Sequence, residues 1–394
     1  MNNSMELRYL IRPGPTDHVV LDRLLTPSLL EPPIDLDGVV LDASHAQRFQ
    51  DIVPKLPPSN QFLVDHQTYR LQHASCEDVC SLTALPYSPL DGPYKPQDFA
   101  TPSVVSGFVQ SVLDFQHGLR VTDFLAPTFF CDSSDSEWNA VNDDLLRESI
   151  RQAGGQVYAT LCGSHKVLCG RSREEVVFRL ANSGAIGVYV LISPLTPTKD
   201  SVSKLSAYVE LLASLRDQGL SVIAGRQPAF GLGLLSLGVS AFDSGVAQAE
   251  QFVFPSLVRT RARASGKRPA RKSRRVYIAN LMSSLSADLA RLVLTTPGVT
   301  GSYLCHEVCC RDGSTQALMH DREHFLRARL KEVKEIRDRP QQWRPRHYAE
   351  RLERACQLAD RLADAFPDLA PSFTHLDTWA RVIRVFEKTS QPAS

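Results

Sequence analysis

The residues with the most chemistry in this sequence are aspartates that close short apolar runs. Asp42 ends VVLD, Asp65 ends FLVD and is followed by His66 and Gln67, Asp132 follows Phe130-Cys131, and Asp243 ends VSAFD. Cys162, Ser193, Arg226 with Gln227, and Asn280 stand at the ends of similar runs. Two carboxyl groups placed across a sugar are the arrangement used for substitution at an anomeric carbon. Aspartates gathered on one rim could supply that pair. A plainer role competes at Asp42, which precedes Ala43-Ser44 and a helical stretch and would serve equally as a helix cap. Asp243 differs, because it follows an aromatic and precedes small residues that leave room for a ligand.

Gathering these residues requires βα units. Candidate strands fall at residues 39–43, 61–65, 123–130, 156–162, 187–193, 221–224, 239–243 and 276–280. Amphipathic stretches at 46–56, 102–119, 138–153, 173–182, 203–218, 229–237 and 287–295 separate or follow them, several closing at a glycine suited to a left-handed cap. A dinucleotide-binding sheet would carry a Gly-rich turn after its first strand, and VVLDASHAQRF has none. Runs such as GVYVLIS, apolar on both faces, suit strands with helices outside and a packed interior inside. The sequence therefore predicts an α/β fold, a (β/α)8 TIM-like barrel over residues 39–300. Residues 1–38 read as an N-terminal extension, and residues 301–394 as a Cys/His segment followed by helices at 322–337, 346–365 and 373–387.

Two other regions carry recognisable chemistry, while 67–100, rich in Pro, Asp and Tyr, reads as a long insertion near the barrel mouth. Between 259 and 275 lie Arg259, Arg261, Arg263, Lys267, Arg268, Arg271, Lys272, Arg274 and Arg275, with no acidic residue among them. Such density can neutralise phosphates, and the near absence of aromatics predicts a grip on the backbone of RNA or DNA rather than stacking on bases; a solvated loop is the alternative. Cys305, Cys309 and Cys310, with His320 or His324, offer a Cys/His donor set for a structural Zn ion, against the alternative of free thiols. The nine cysteines do not suggest a disulfide framework in a chain of 394 residues. The net charge of +1 names no partner. No apolar run nears the roughly 18 residues of a membrane span, and the first residues lack the apolar core of a secretory signal, so the expectation is a cytoplasmic protein with no membrane contact.

The stretch from 222 to 246, VIAGRQPAFGLGLLSLGVSAFDSGV, resembles the tRNA-guanine transglycosylase family. There a strand ending in Gly leads through a Pro-started helix into Gly-Val-Asp-x-Phe-Asp-Cys, whose second Asp is the nucleophile. Gly238-Val239-Ser240-Ala241-Phe242-Asp243-Ser244 keeps the Gly, Val, Phe and that Asp, and has Ser240 and Ser244 in place of the first Asp and the Cys. A basic segment and then a cysteine-rich zinc motif follow in the family's order. The resemblance implies Asp65 and Asp132 as the other carboxylates of the site. Departures accompany it: Asp65-His66-Gln67-Thr68 stands for Asp-Ser-Gly-Gly-Phe-Gln, Cys162-Gly163-Ser164 for Gln-Gly-Gly, and Val190-Leu191-Ile192-Ser193 for Gly-Gly-Leu-Ala. In the family those residues read guanine.

Two functions follow as expectations. The first is a pentosyltransferase of transglycosylase type, in which Asp243 attacks C1′ of a nucleoside in a polynucleotide, Asp65 serves as acid/base, Asp132 stabilises charge or holds the base, and a guanine-like base is exchanged. The second is a non-catalytic nucleic-acid-binding or partner subunit that kept the barrel and the basic segment, and an oligomer is compatible with either. A metal-assisted barrel hydrolase is a weaker third, since only His66 stands at a strand end.

Overall fold

A computed structural model gives the structure of the chain and describes residues 6–27, 33–76, 80–246, 251–258, 274–296, 300–305, 307, 310, 315–367 and 373–389. Eight parallel strands form the central sheet: β1 (Arg8–Arg12), β2 (Gly38–Asp42), β3 (Gln61–Asp65), β4 (Phe124–Leu125), β5 (Val157–Ser164), β6 (Gly187–Ser193), β7 (Ser221–Ala224) and β8 (Ala241–Gly245). Their order, β3-β2-β1-β8-β7-β6-β5-β4, curls into a nearly closed barrel. The remaining seam lies between β3 and β4. There Thr122 N donates to the Phe62 carbonyl at 2.9 Å and Phe62 N donates to Thr122 Oγ1 at 3.0 Å.

Counting helices of seven residues or more, α1 (His18–Leu25), α2 (Pro102–Gly118), α3 (Trp138–Ala153), α4 (Arg173–Ala181), α5 (Val202–Asp217) and α6 (Phe230–Ser236) belong to the βα units. After β2 the expected helix at 46–56 is replaced by 3-10 turns, Ala43–Phe49 and Val53–Lys55. The insertion at 67–100 packs against the barrel through aromatics, with Tyr94, Phe99, Phe108, Phe129 and Trp138 in mutual contact and Phe129 stacked on Trp138 at 4.1 Å. Outside the barrel come α7 (Ala287–Thr295), α8 (Asp321–Arg337), α9 (Arg344–Ala365) and α10 (Thr374–Thr389).

Two strand assignments change. The run at 276–280 is not a barrel strand: it forms β9 (Arg275–Ile278), paired antiparallel with β10 (Ser283–Ser286) in a separate hairpin. Its two-sided apolar character is satisfied by helix α8, whose Phe325 packs edge-on to Tyr277 at 5.4 Å. The missing barrel strand is β1, inside the segment read as an extension, so the barrel begins at residue 8. β1 is central, pairing with β2 on one side and β8 on the other.

Period-two alternation decides what faces the interior. Tyr9 and Ile11 pack outward under the helices, whereas Leu10 joins Val40, Leu63, Tyr189, Leu191 and Ala241 inside the barrel. One step further along the same faces come Arg12 on β1, Asp42 on β2, Asp65 on β3 and Asp243 on β8. The interior ends in ionisable groups at the carboxyl ends of the strands, the edge on which barrel sites are built.

The C-terminal helices are docked on the barrel. Tyr348 Oη on α9 donates to the Ala229 carbonyl at 3.1 Å, and Trp379 Nε1 on α10 donates to the Pro197 carbonyl at 2.8 Å. Gly233 on α6 permits the approach, since a Cβ there would lie 2.7 Å from the Tyr348 ring. Among the described residues no helix is long and apolar enough to cross a membrane.

Candidate functional site

Arg12 occupies the centre of the barrel mouth and is 3% exposed. Its Nε donates to Asp243 Oδ1 at 2.8 Å and its Nη2 reaches Asp243 Oδ2 at 3.4 Å. Nη1 donates to Asp65 Oδ2 at 3.0 Å and to Asp42 Oδ1, while Nη2 also donates to the Tyr189 hydroxyl. One guanidinium thus binds three carboxyl groups from three strands. Such charge-assisted bonds are the strong class, and the planar fork of arginine suits them.

Neutral donors and a second cation complete the cluster. Tyr189 Oη donates to Asp243 Oδ2 at 2.7 Å, Tyr69 Oη to Asp65 Oδ2 at 2.9 Å, and Gln67 N to Asp65 Oδ1 at 3.1 Å. Arg226 Nη2 donates to Asp42 Oδ1 at 2.9 Å and lies 3.7 Å from Asp65 Oδ2. Arg226 takes a left-handed backbone conformation, φ 56°, just after Gly225. That glycine admits Tyr189, whose hydroxyl would stand 2.9 Å from an added Cβ. Asp243 is 0% exposed and Asp65 1%, so both are sealed from solvent.

Electrostatics follow the contacts. Burial by itself would raise the Asp42 carboxyl, but Arg226 and then Arg12 outweigh it and hold it down at about 2. Burial opposes the charge on Arg12, yet Asp243, Tyr189, Asp42 and Asp65 fix its proton more firmly than in an ordinary arginine. Burial pushes the Tyr69, Tyr189 and Cys162 groups up, so the tyrosines act as donors and Cys162 is an inert thiol. Burial also lowers His66 to about 4; its Nδ1 accepts from Thr68 N at 3.1 Å.

An apolar plug packs beside the cluster, against Tyr69. Phe252 stands edge-on to Tyr69 at 5.4 Å, and Phe254 stacks on Phe130 at 4.0 Å with the rings 7° from parallel. Ser193 Oγ accepts from Phe254 N at 2.8 Å, which ties the plug to the end of β6.

Of the carboxylates expected from the sequence, Asp65 and Asp243 meet through Arg12, and Asp42 joins them. Asp132 does not: it is exposed beyond the rim, and its backbone carbonyl accepts from the Ser164 hydroxyl at 3.3 Å. Asn280 lies outside the barrel, where it donates to the Ser302 carbonyl at 2.9 Å. Ser244 Oγ is 3.0 Å from the Tyr9 hydroxyl. The sequence pattern does not single out Arg12, Tyr69 or Tyr189. The inward period of Leu10 and Arg12 is the signal for the first, and it shows only once residues 8–12 are known to be a barrel strand.

A second group lies beside the hairpin. Ligand atoms of Cys305, Cys310 and His324 all fall within 4.8 Å of one another and could hold a metal ion. Cys310 Sγ is 3.3 Å from His324 Nδ1, and His324 Nε2 is 2.8 Å from the Tyr277 carbonyl. A proton on Nε2 shared with that carbonyl leaves Nδ1 turned to the sulfurs, the outer-sphere pattern of a metal-binding histidine. Glu307 N donates to Cys305 Sγ at 3.4 Å. Burial alone would lower His324, but its contacts with Cys305 and Cys310 raise it to about 10. His320 is not in the group: it precedes the first turn of α8, and one helical turn separates it from His324. Cys309 lies outside the described residues.

The basic residues Arg259, Arg261, Arg263, Lys267, Arg268, Arg271 and Lys272 also lie outside the described residues. Arg274 donates to Asp321 Oδ1 at 2.6 Å and to the Met319 carbonyl at 2.8 Å, and Arg275 donates to the Ser284 carbonyl. These two cations anchor the segment's end to α8 and to the hairpin.

Fold and site together define a parallel α/β barrel with an arginine-carboxylate cluster inside its mouth and a Cys/His group alongside. No protein-family model matches the sequence, and no curated protein matches it.

Asp243→Ala is expected to lower stability by about 3–5 kcal/mol, because it strands part of a buried cation, whereas Asp132→Ala should stay within about 0.5 kcal/mol of wild type. Urea unfolding at neutral pH reads both, and equal midpoints would contradict the cluster. His66 gives a pH signature. Its folded pKa of about 4 lies below the unfolded value near 6.5, so its contribution is present above that value and is lost as pH falls toward 4. His66→Gln should lose less stability than wild type across this window, by up to about 3 kcal/mol, in unfolding curves collected at each pH.

Proposed function

We propose that this chain is a non-catalytic, transglycosylase-like barrel that binds a polynucleotide through the basic segment at 259–275. The observation that carries the reading is the pairing of Arg12 with both Asp243 and Asp65. A nucleophilic carboxylate needs an oxygen directed at the reacting carbon. Both oxygens of Asp243 are directed at Arg12 and Tyr189, and the residue is fully buried. The sequence departures at the positions where the family reads guanine support the same view, and so does the position of Asp132 outside the cluster.

The enzymatic alternative draws support from one fact, the convergence of Asp65 and Asp243 on a single small space. Under it, displacement of Arg12 would free Asp243 to bond to C1′ while the departing base takes a proton from Asp65. Incubation of the wild-type chain with structured RNA, or with duplex DNA, separates the two readings. Non-catalytic binding predicts no adduct on denaturing electrophoresis, together with affinity that falls about 100-fold or more when salt rises fourfold, provided that about five phosphates are neutralised. A shifted covalent band would overturn the reading, and a salt-insensitive or absent interaction would remove the nucleic-acid part of it.

Zinc is the metal that two thiolates and an imidazole suit best, and its role here would be structural, since the group lies outside the barrel mouth. Bound there, zinc would cross-link Cys305 and Cys310 to α8 through His324. The chain purified without chelator is expected to carry about one zinc, lost together with thermal stability in Cys305→Ser and His324→Ala and retained in His320→Ala. Elemental analysis showing full zinc in His324→Ala would reject this ligand set.

A further inference from the structure

The acceptors that hold Arg12 are set by strands, not by Arg12. Asp42 and Asp65 are register partners on β2 and β3, and Asp243 is fixed by the pairing of β8 with β1. Tyr189 enters from β6, across the interior, through the space that Gly225 leaves. Together they form a slot with carboxyl oxygens on two sides and a phenol oxygen at its end. Its contents are a flat cation: Nε and Nη2 face the two oxygens of Asp243, and Nη1 bridges Asp65 and Asp42. Within the Arg12 side chain, the guanidinium is the part that makes these polar bonds. The aliphatic arm of Arg12 connects it to β1. Arg226 sits beside the slot, and three carboxyl groups face two guanidiniums, so the balance without Arg12 is strongly negative.

We propose that the mouth of the barrel is a binding site for a planar guanidinium or amidinium group, filled in the resting chain by its own Arg12. A small ligand of that class binds when the Arg12 side chain is removed, and binds through N–H donors, not through charge alone. The inference deepens the non-catalytic reading, because it explains what occupies the space between Asp65 and Asp243.

The test uses the full chain with Arg12→Ala. Thermal unfolding is followed with guanidinium chloride up to about 20 mM, and in parallel with tetramethylammonium chloride, a cation without N–H donors, and with urea, a neutral planar molecule. Guanidinium should raise the melting temperature saturably by several degrees, half-maximally between about 0.1 and 10 mM, the range open to a ligand of four heavy atoms. Wild type, its slot filled, should show no such rise. Arg12→Ala/Asp42→Asn removes one charge of each sign, keeps the local balance, and should still respond saturably, with a smaller rise because Asp42 is one of the slot's acceptors. If Arg12→Ala does not accumulate folded, refolding yield with and without guanidinium gives the readout. The absence of a saturable gain in both variants overturns the proposal, as does an equal gain with tetramethylammonium. The RNA titration described above is made on wild type, so the failure of either result leaves the other standing.

Discussion

A guanidinium inside a barrel is the constraint around which this mouth is arranged. Moving an isolated charge out of water costs several kcal/mol even after relaxation, and the cost is recovered only where geometry and hydrogen bonding are both good. Arg12 meets that condition because β1 lies between β8 and β2, with β3 next in order, and each of these three strands carries an inward-facing aspartate at or near its carboxyl end. The carboxylates have needs of their own. Tyr69, Tyr189 and Gln67 N supply neutral hydrogen bonds where a third cation is lacking, and Arg226 supplies a second positive charge. Burial of Arg12, Asp65 and Asp243 then strengthens the bonds among them by keeping water out.

The same arrangement separates fold from chemistry. Strand ends on a barrel rim gather side chains whether or not a reaction follows, and the function rests on what those side chains are free to do. Asp243 and Asp65 sit close enough to share one guanidinium, which is the spatial half of a two-carboxylate mechanism. The other half is an accessible oxygen beside a substrate-sized space. Here both acids are spent on a cation of the chain's own. A site of this kind is stable because it is occupied from within, and its specificity for planar donors follows from the partner it already holds.

Much of this was legible in the sequence, for identifiable reasons. Seven of the eight barrel strands announce themselves as apolar runs ending in a polar residue, and α3, α7 and α8 fall within a residue of their expected positions, because long amphipathic periods are strong signals. β1 was not legible: RYLIR is short and bounded by arginines, and a terminal arginine reads as solvated unless its acidic partners on three other strands are known. The run at 276–280 misled for the opposite reason, since burial on both faces does not say whether the cover is a barrel or a single helix. Asp132 reads as a rim residue because the apolar run before it reads as strand through residue 130; β4 ends at Leu125, the chain touches the end of β5 again only through the bridge of Cys131 to Gly163, and Asp132 itself is exposed. The choice between His320 and His324 depended on where α8 begins, which spacing alone does not fix.

The basic segment connects the two sites. It departs from the plug, whose last described residue is Val258, and returns at Arg274, which is bonded to Asp321 at the start of α8. One turn further along α8, His324 binds the Tyr277 backbone, and the Tyr277 hydroxyl donates to Glu332 Oε1 at 2.9 Å. Glu332 in turn pairs with Arg351 on α9. Hairpin, Cys/His group and C-terminal helices therefore form one connected support for the far end of the segment, while Phe252 and Phe254 hold its near end on the barrel.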